Sequence, residues 1–559
     1  MIISQNILGS FEVSKRALQS HQAAMNTVAH NLANAATPGY TRQRAELAPV
    51  APMNGVEVTA IRRIRDRYLD FALLAETQTQ GKLAAQESLL GRLEGIFNAA
   101  PGTGLSAAMD RFFNGFQDLS VNPTDPVLRV AVRDQGQQLV ATMQGLQGRI
   151  QQLKDDLTRQ IQEKVTEANG LLSEIGELHR QILGSGGRPT PNDLLDRRDM
   201  LVTQLGQIIG VTASDRPDGT VQLVAAGGGV MLVDGAITTP LSATINGSTD
   251  SVDLTVGGLA LTPSSGLLAA VLDARNSATG AVKQAATDLD ALARTLIAEV
   301  NRLHAGGSGI REHSALTAQN AVSGSGVALT AAGLAYTPTS GSFTVRVHDA
   351  AGALVSTVTV AVTAGVTTLE NVRAALDADP ELTATITSGK LTITANSGRT
   401  FAFGGDSSDT LMALGLNTFF TGSDARTMTV DPTIVADVTK IAAALADSSG
   451  LVHAGDGSNA LALARLRTKL ALGSSTQTFG DAFGALVGRV GSQTRQAKDA
   501  LERQAAAVQA LQALQQQTSG VSTDEELISL SESQTAYAAA ARHISTMREV
   551  IQSLLDAVR

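Results

Sequence analysis

Residues 4–43 read SQNILGSFEVSKRALQSHQAAMNTVAHNLANAATPGYTRQ. Ile7, Phe11, Leu18, Met25, Val28 and Leu32 fall on a ladder of fours and threes, with Ser14 and His21 as its polar rungs. That spacing places one narrow apolar stripe on a helix, the seam of a coiled coil rather than the broad face of a helix in a globular core. The pattern predicts a helix over about 4–34, ending at Thr37-Pro38-Gly39-Tyr40. Proline disfavours helix at the residue before it, and Pro-Gly is the sequence of a type II turn. About 30 helical residues reach roughly 45 Å, too long for a compact domain to bury end to end.

The same alternation returns near the other end of the 559-residue chain. Leu527, Leu530, Tyr537, Ala541, Ile544, Ile551, Leu555 and Val558 carry it, with interruptions at Gln534 and Arg548. Each end therefore asks for a helical partner. The simplest supply is the opposite end of the chain, or the same ends of neighbouring copies.

Between the ends, the length alone implies several domains, roughly three to five. Helical periodicity covers about 62–98, 105–120 and 127–183, then 266–304, and again 431–558. Residues 211–265 and 320–430 have strand and turn character, as in VQLVAAGGGVMLVDG and GSFTVRVHDAAGALVSTVTVAV. The expected fold class is multidomain α+β. Residues 1–41 with 520–559 form a terminal coiled-coil domain. Residues 42–210, 266–304 and 431–519 form a helical rod, with β-rich inserts at 211–265 and 305–430.

A net charge of -9 argues against nucleic acid, because phosphate binding needs clustered positive charge. Arg62, Arg63, Arg65 and Arg67 are the local exception, read as a solvated helix face or a subunit contact. There is no cysteine, which excludes disulfides, zinc-thiolate sites and thiol nucleophiles. No apolar run spans a bilayer, and MIISQNILGSFEVSKR does not read as a cleavable signal peptide. Phosphate-loop, HExxH, GxSxG and calcium-loop motifs are missing, and the eight histidines are scattered. His179 and His304 read as satisfied surface residues. With no tryptophan and four tyrosines, a carbohydrate cleft lacks its aromatic platforms. The expectation is no enzyme, no cofactor and no metal.

NLANAATPGYTRQ (31–43) resembles the N-terminal motif of the bacterial flagellar axial proteins, the rod, hook and hook-associated family. SGVSTDEELISLSESQTAYAAAARHISTM (519–547) resembles that family's C-terminal segment. Interior stretches such as PNDLLDRRDMLVTQLGQIIGV (191–211) and LGLNTFFTGSDARTMTVDP (414–432) are similar to the hook-associated branch; a hook or distal-rod protein is the alternative. The resemblance implies a structural subunit of the extracellular flagellum at the distal end of the hook. It implies a homo-oligomeric ring between hook protein and a second hook-filament junction protein, with paired terminal helices lining the inner tube. It also implies export through the flagellar type III apparatus, with an export chaperone on the C-terminal segment. Assembly would then rest on Ile7, Phe11, Leu18, Met25, Val28, Leu32, Leu527, Leu530, Tyr537, Ile544, Ile551 and Leu555. Thr37, Pro38, Gly39 and Tyr40 would fix how the first helix leaves the outer domains.

Overall fold

In a computed structural model the described residues are 2–50, 55–98, 102–185, 192–447 and 449–557, with side chains described from Gly9 onward except at 554. The chain opens with α1 (Ile2–Ala33), then a hairpin of β1 (Gln43–Pro49) and β2 (Val56–Arg63). Four helices follow: α2 (Arg67–Phe97), α3 (Gly104–Val121), α4 (Pro126–Gly184) and α5 (Asn192–Ile208). The first β-rich stretch holds β3 (Val211–Asp215), β4 (Val221–Ala225), β5 (Met231–Asp234) and β6 (Ile237–Thr238). It continues with β7 (Leu241–Asn246), β8 (Ser251–Val256) and β9 (Leu259–Ala260). Next come α6 (Leu267–Asn276) and α7 (Ala281–Ala305).

The second β-rich stretch starts with β10 (Ala315–Thr317), β11 (Gly341–Asp349) and β12 (Leu354–Val362), then α8 (Leu369–Asp377). It continues through β13 (Leu382–Thr387), β14 (Lys390–Ala395), β15 (Arg399–Gly404), α9 (Thr410–Leu414), β16 (Phe420–Thr421) and β17 (Thr429–Val430). Short helices α10 (Pro432–Ala436) and α11 (Ser458–Arg465) precede the long α12 (Phe479–Ser519) and α13 (Thr523–Ala557).

Two compact units divide these elements. The first takes residues 1–90, 156–280 and 494–559; the second takes 91–155 and 281–493. In the first unit lie the β1-β2 hairpin and the antiparallel sheets β3-β4-β5-β6 and β7-β8-β9. Alternation makes these strands: in SVDLTV every second residue, Val252, Leu254 and Val256, is buried. In the second unit lie the sheets β12-β11-β15, β10-β14-β13 and β16-β17. Their core is built from Phe343, Val345, Val347, Leu391, Ile393 and Phe401, roofed by α8 through Leu369, Val372 and Leu376. A capping box between Thr368 and Asn371 starts α8.

Three local expectations change. The helix expected over 266–304 is two helices, because the chain leaves α6 at Ser277 in an extended conformation and turns before α7. The tail is not continuously helical: among the described residues of 431–478 the helices are α10, α11 and 3-10 turns, broken by Gly450, Gly455, Gly457 and Gly473. His179 and His304 are satisfied but fully buried rather than at the surface. His304 donates from Nδ1 to Asn417 O (2.7 Å) and accepts the Ala442 N–H at Nε2 (2.9 Å), a pairing that needs the neutral ring. His313 meets the Asn417 side chain at 3.2 Å. Burial pushes both histidines down to about 4.

Candidate assembly interface

The end of α1 is set by its own sequence. Asn34 bonds back to the His30 carbonyl, and Tyr40 N–H closes a turn onto Thr37 O at 3.2 Å. Gly39, third in that turn, has φ +78, the left-handed conformation that a type II turn requires there. The turn carries Tyr40 back against α1, its ring centroid 5.5 Å from that of His30. Thr37, Pro38 and Gly39 are exposed and Tyr40 is half-buried.

From that turn a polar clamp is assembled. Asn31, buried on α1, donates from Nδ2 to Gln43 O (2.8 Å) and to Glu526 Oε2 (2.9 Å). Its Oδ1 accepts from the Tyr40 hydroxyl (2.7 Å) and the Gln43 N–H (3.0 Å). All its hydrogen-bonding valences are used, as a buried amide requires. Arg42 completes the clamp, giving Nε to Glu526 Oε1 (2.7 Å), Nη1 to Glu525 Oε2 (2.6 Å) and its backbone N–H to Ser519 O (3.0 Å). Burial, reinforced by Asp193 and Asp196, holds the Tyr40 phenol well above its usual range, so it remains a donor.

Below the clamp the arginine cluster divides: Arg62 and Arg67 have exposed side chains, whereas Arg63 and Arg65 are not on a solvated face but tied to carboxylates. Arg63 ends β2 and, with its side chain only 8% exposed, donates to Asp196 and Asp199 of α5, both at 2.8 Å. Arg65 bonds Asp199 (3.0 Å) and Asp70 (2.7 Å). The helix that would have displayed these arginines starts only at Arg67, where Asp66 accepts from the N–H groups of Tyr68 and Leu69. Burial raises Asp196, which also receives the Thr41 N–H at 3.0 Å.

The clamp fixes α13 beside α1. The helices run antiparallel: Asn31 meets Glu526 at one end, and Ser14 Oγ meets His543 Nδ1 at 2.7 Å farther along. The hairpin covers α1 on another side, where Ser20 donates to Val56 O (3.0 Å). Gly55, φ +87, lies so close to Val13 that a Cβ would come within 3.2 Å of its carbonyl oxygen.

Of the seam residues, Val28 is buried, and Phe11, Leu18, Met25, Leu530, Tyr537, Ile544 and Ile551 are half-buried. Leu32 is 37% exposed, Leu527 51% and Leu555 60%, so these three lie off the covered face. Ile7 is on α1, but its side chain, like Val558, lies outside the described residues. The closest-packed positions of α1 are instead the polar Ser14, Ser20, Thr27 and Asn31. Of the other polar interruptions, His21 is half-buried, and Gln534 and Arg548 are exposed. A groove of about 460 Å³ remains between α1, α13 and the hairpin, lined by His21, Ala24, Arg44, Leu47, Ser533 and Ala536 among others. Sequence periodicity missed Asn31, Arg42, Gln43, Glu525 and Glu526, although all lie inside the two quoted terminal segments.

Among the described residues no group of three or more His, Asp or Glu is placed to hold a metal ion, and no helix is long and apolar enough to cross a membrane.

Comparison with known proteins bears on both ends and the middle. A family model described as flagellar hook-associated protein FlgK helical domain matches residues 90–315. One described as flagella basal body rod protein matches 11–41, and the flagellar basal body rod FlgEFG protein C-terminal model matches 509–557. The chain is 30% identical over 239 residues to flagellar hook-associated protein 1 of Bacillus subtilis, a match covering 40% of this chain and 47% of that relative. It is 27% identical over 575 residues to flagellar hook-associated protein 1 of Escherichia coli, covering 96% of this chain and 98% of the relative. The flagellar hook junction protein FlgK from Burkholderia pseudomallei shares the fold, with a TM-score of 0.55 over 81% of this chain and 100% of that one. At 18% identity that likeness speaks to fold alone.

Proposed function

The chain belongs to the flagellar hook-associated protein 1 family, and on that footing we propose that its paired terminal helices are the surfaces through which copies assemble at the junction between hook and filament. It is a structural subunit of the bacterial flagellum. The observation that carries the assembly reading is the clamp of Asn31 and Arg42 on Glu526, which joins two segments more than 480 residues apart. A chain that fastens its ends with polar contacts, while leaving the adjoining apolar seam half-covered, has apolar surface for neighbouring copies to bury.

In this reading α1 and α13 form the inner wall of a ring. The hook protein lies on one side, the second hook-filament junction protein on the other, and an export chaperone covers the exposed apolar residues of α13 beforehand. Residues 1–41 with 520–559 act as the terminal domain, and the β-rich stretches 211–265 and 305–430 as outer domains. The site is extracellular, at the distal end of the hook. The helical-domain match over 90–315 favours this position over the hook or distal rod, since the matches described as rod proteins lie at 11–41 and 509–557.

The test is a full-length chain with Phe11→Asp and Leu18→Asp, supplied to a strain lacking its own copy. The variant is expected to stay folded and to leave hooks without filaments by electron microscopy. Normal filaments would overturn the assembly reading. Immunogold label spread along the whole hook, rather than confined to its distal end, would overturn the junction position.

A further inference from the structure

We propose that two polar contacts, Asn31 with Glu526 and Ser14 with His543, set the register in which α1 and α13 pair, and that the apolar seams alone do not. Asn31 lies seventeen residues beyond Ser14, and His543 lies seventeen beyond Glu526. One antiparallel register therefore satisfies both contacts, and a slip of one heptad breaks both. The seams cannot impose that choice. The half-covered positions in the middle of α13 are mostly small, Ser533, Ala536, Ala540 and Ala541 around Tyr537, and a one-heptad slip replaces Tyr537 with Leu530 or Ile544, both apolar as well. A groove bounded by Ala24 of α1, Ser533 and Ala536 of α13 and the hairpin stays open beside these positions.

The polar contacts do discriminate. Glu526 is 2% exposed, and in the observed register its two oxygens are taken by Asn31 Nδ2 and Arg42 Nε. A slip would leave that carboxylate buried without partners, an alternative penalised far more heavily than a mismatched methyl. A single buried polar residue fixes register in simpler coiled coils for the same reason. Arg42 adds a second dependence. It belongs to the segment after the Thr37–Tyr40 turn and also holds Ser519 O at the end of α12, so the register is tied to the hairpin and to α12 as well as to α1.

The absence of cysteine makes the test direct. Ala24→Cys with Ser533→Cys places thiols across the groove in the observed register; Ala24→Cys with Ala540→Cys reports a one-heptad slip. Under mild oxidation of the isolated full-length chain, the first disulfide is expected to exceed the second by about tenfold, the discrimination typical of one coupled hydrogen-bond network. Adding Asn31→Leu and Glu526→Leu is expected to bring the two yields within about twofold. Should that chain fail to fold by circular dichroism, Ser14→Ala with His543→Ala removes only the outer contact and is expected to lower the ratio several-fold. An unchanged ratio in whichever variant folds overturns the proposal. So does the absence of both crosslinks in the chain bearing only the cysteine pairs, for then there is no register to set. The inference deepens the assembly reading, but a crosslink ratio in the isolated chain can fail while filaments grow, or hold while they do not.

Discussion

The aromatic centre of the second unit and the terminal helix pair of the first treat apolar residues in opposite ways. Phe112, Phe116, Phe419 and Phe420 are at most 1% exposed, with Phe419 and Phe420 centroids 4.8 Å apart and Phe112 at 5.3 Å from both. The terminal pair has one phenylalanine, Phe11, half-buried, with Leu527 and Leu555 turned outward and polar side chains at its tightest positions. A centre of the first kind is finished by one chain. The second kind leaves apolar side chains that its own chain does not cover, the surface on which the proposed assembly rests.

The comparison can be broken at several points. Phe419→Ala should cost about 4 kcal/mol, since it empties a filled aromatic site, and denaturant unfolding of the second unit would show it. A loss under 1 kcal/mol would mean that centre is not close-packed. Arg42→Met, which strips the buried Glu526 of its cation, should cost about 3 kcal/mol, read as faster hydrogen exchange through α1 and α13.

Acid should distinguish the regions next. His304 and His313 have folded values near 4, below the unfolded value near 6.5, so the unfolded chain binds more protons between these limits. Their contribution is complete above about pH 6.5 and is lost as pH falls toward 4, about 2 kcal/mol for His304 by pH 5. His313 and Arg129 add to the depression at His304 and Lys440 adds to it at His313, while Glu312 and Asp437 oppose it at His313. His348 has the opposite sign: bonded to Glu312, its folded value is raised, so its contribution is present at low pH and fades as pH rises through that value. Hydrogen exchange over 416–420 between pH 7 and 5 checks the sum, and a flat profile would refute the His304 and His313 account. Smallest of all, Leu527→Ser and Leu555→Ser should change the stability of the isolated chain by no more than about 0.5 kcal/mol, yet impair filament assembly. A large loss of stability would show that these leucines already have partners within the chain.

Much of this architecture was readable from periodicity and turn chemistry. The long first helix, its stop before Pro38-Gly39 and the β-rich stretches all rest on local patterns. The phase of the seam was not local. Leu527, Ile528 and Leu530 offer competing stripes, and counting apolar residues selects Leu527. The inner position instead goes to Glu526, because its partners Asn31 and Arg42 come from 495 and 484 residues away. Arg63 was misread for a related reason: its carboxylate partners lie on α5, and the Asp66 cap that delays α2 until Arg67 was overlooked. In 431–478 the glycines were legible, but the capped short helices between them depend on individual side chains such as Asp431 accepting from Thr433.

Because α1 and α13 are antiparallel, the first residues of one lie beside the last residues of the other. Tension applied at the two chain ends would therefore peel the pair open turn by turn, loading only the outermost contacts at any instant. Tension applied at Ala33 and Thr523 would likewise open it from the other end, but there the Asn31, Arg42 and Glu526 cluster is the first obstacle. Among the described side chains, the buried polar cluster sits at the Ala33 and Thr523 end, so load applied there meets it at once and load applied at the chain ends meets it last.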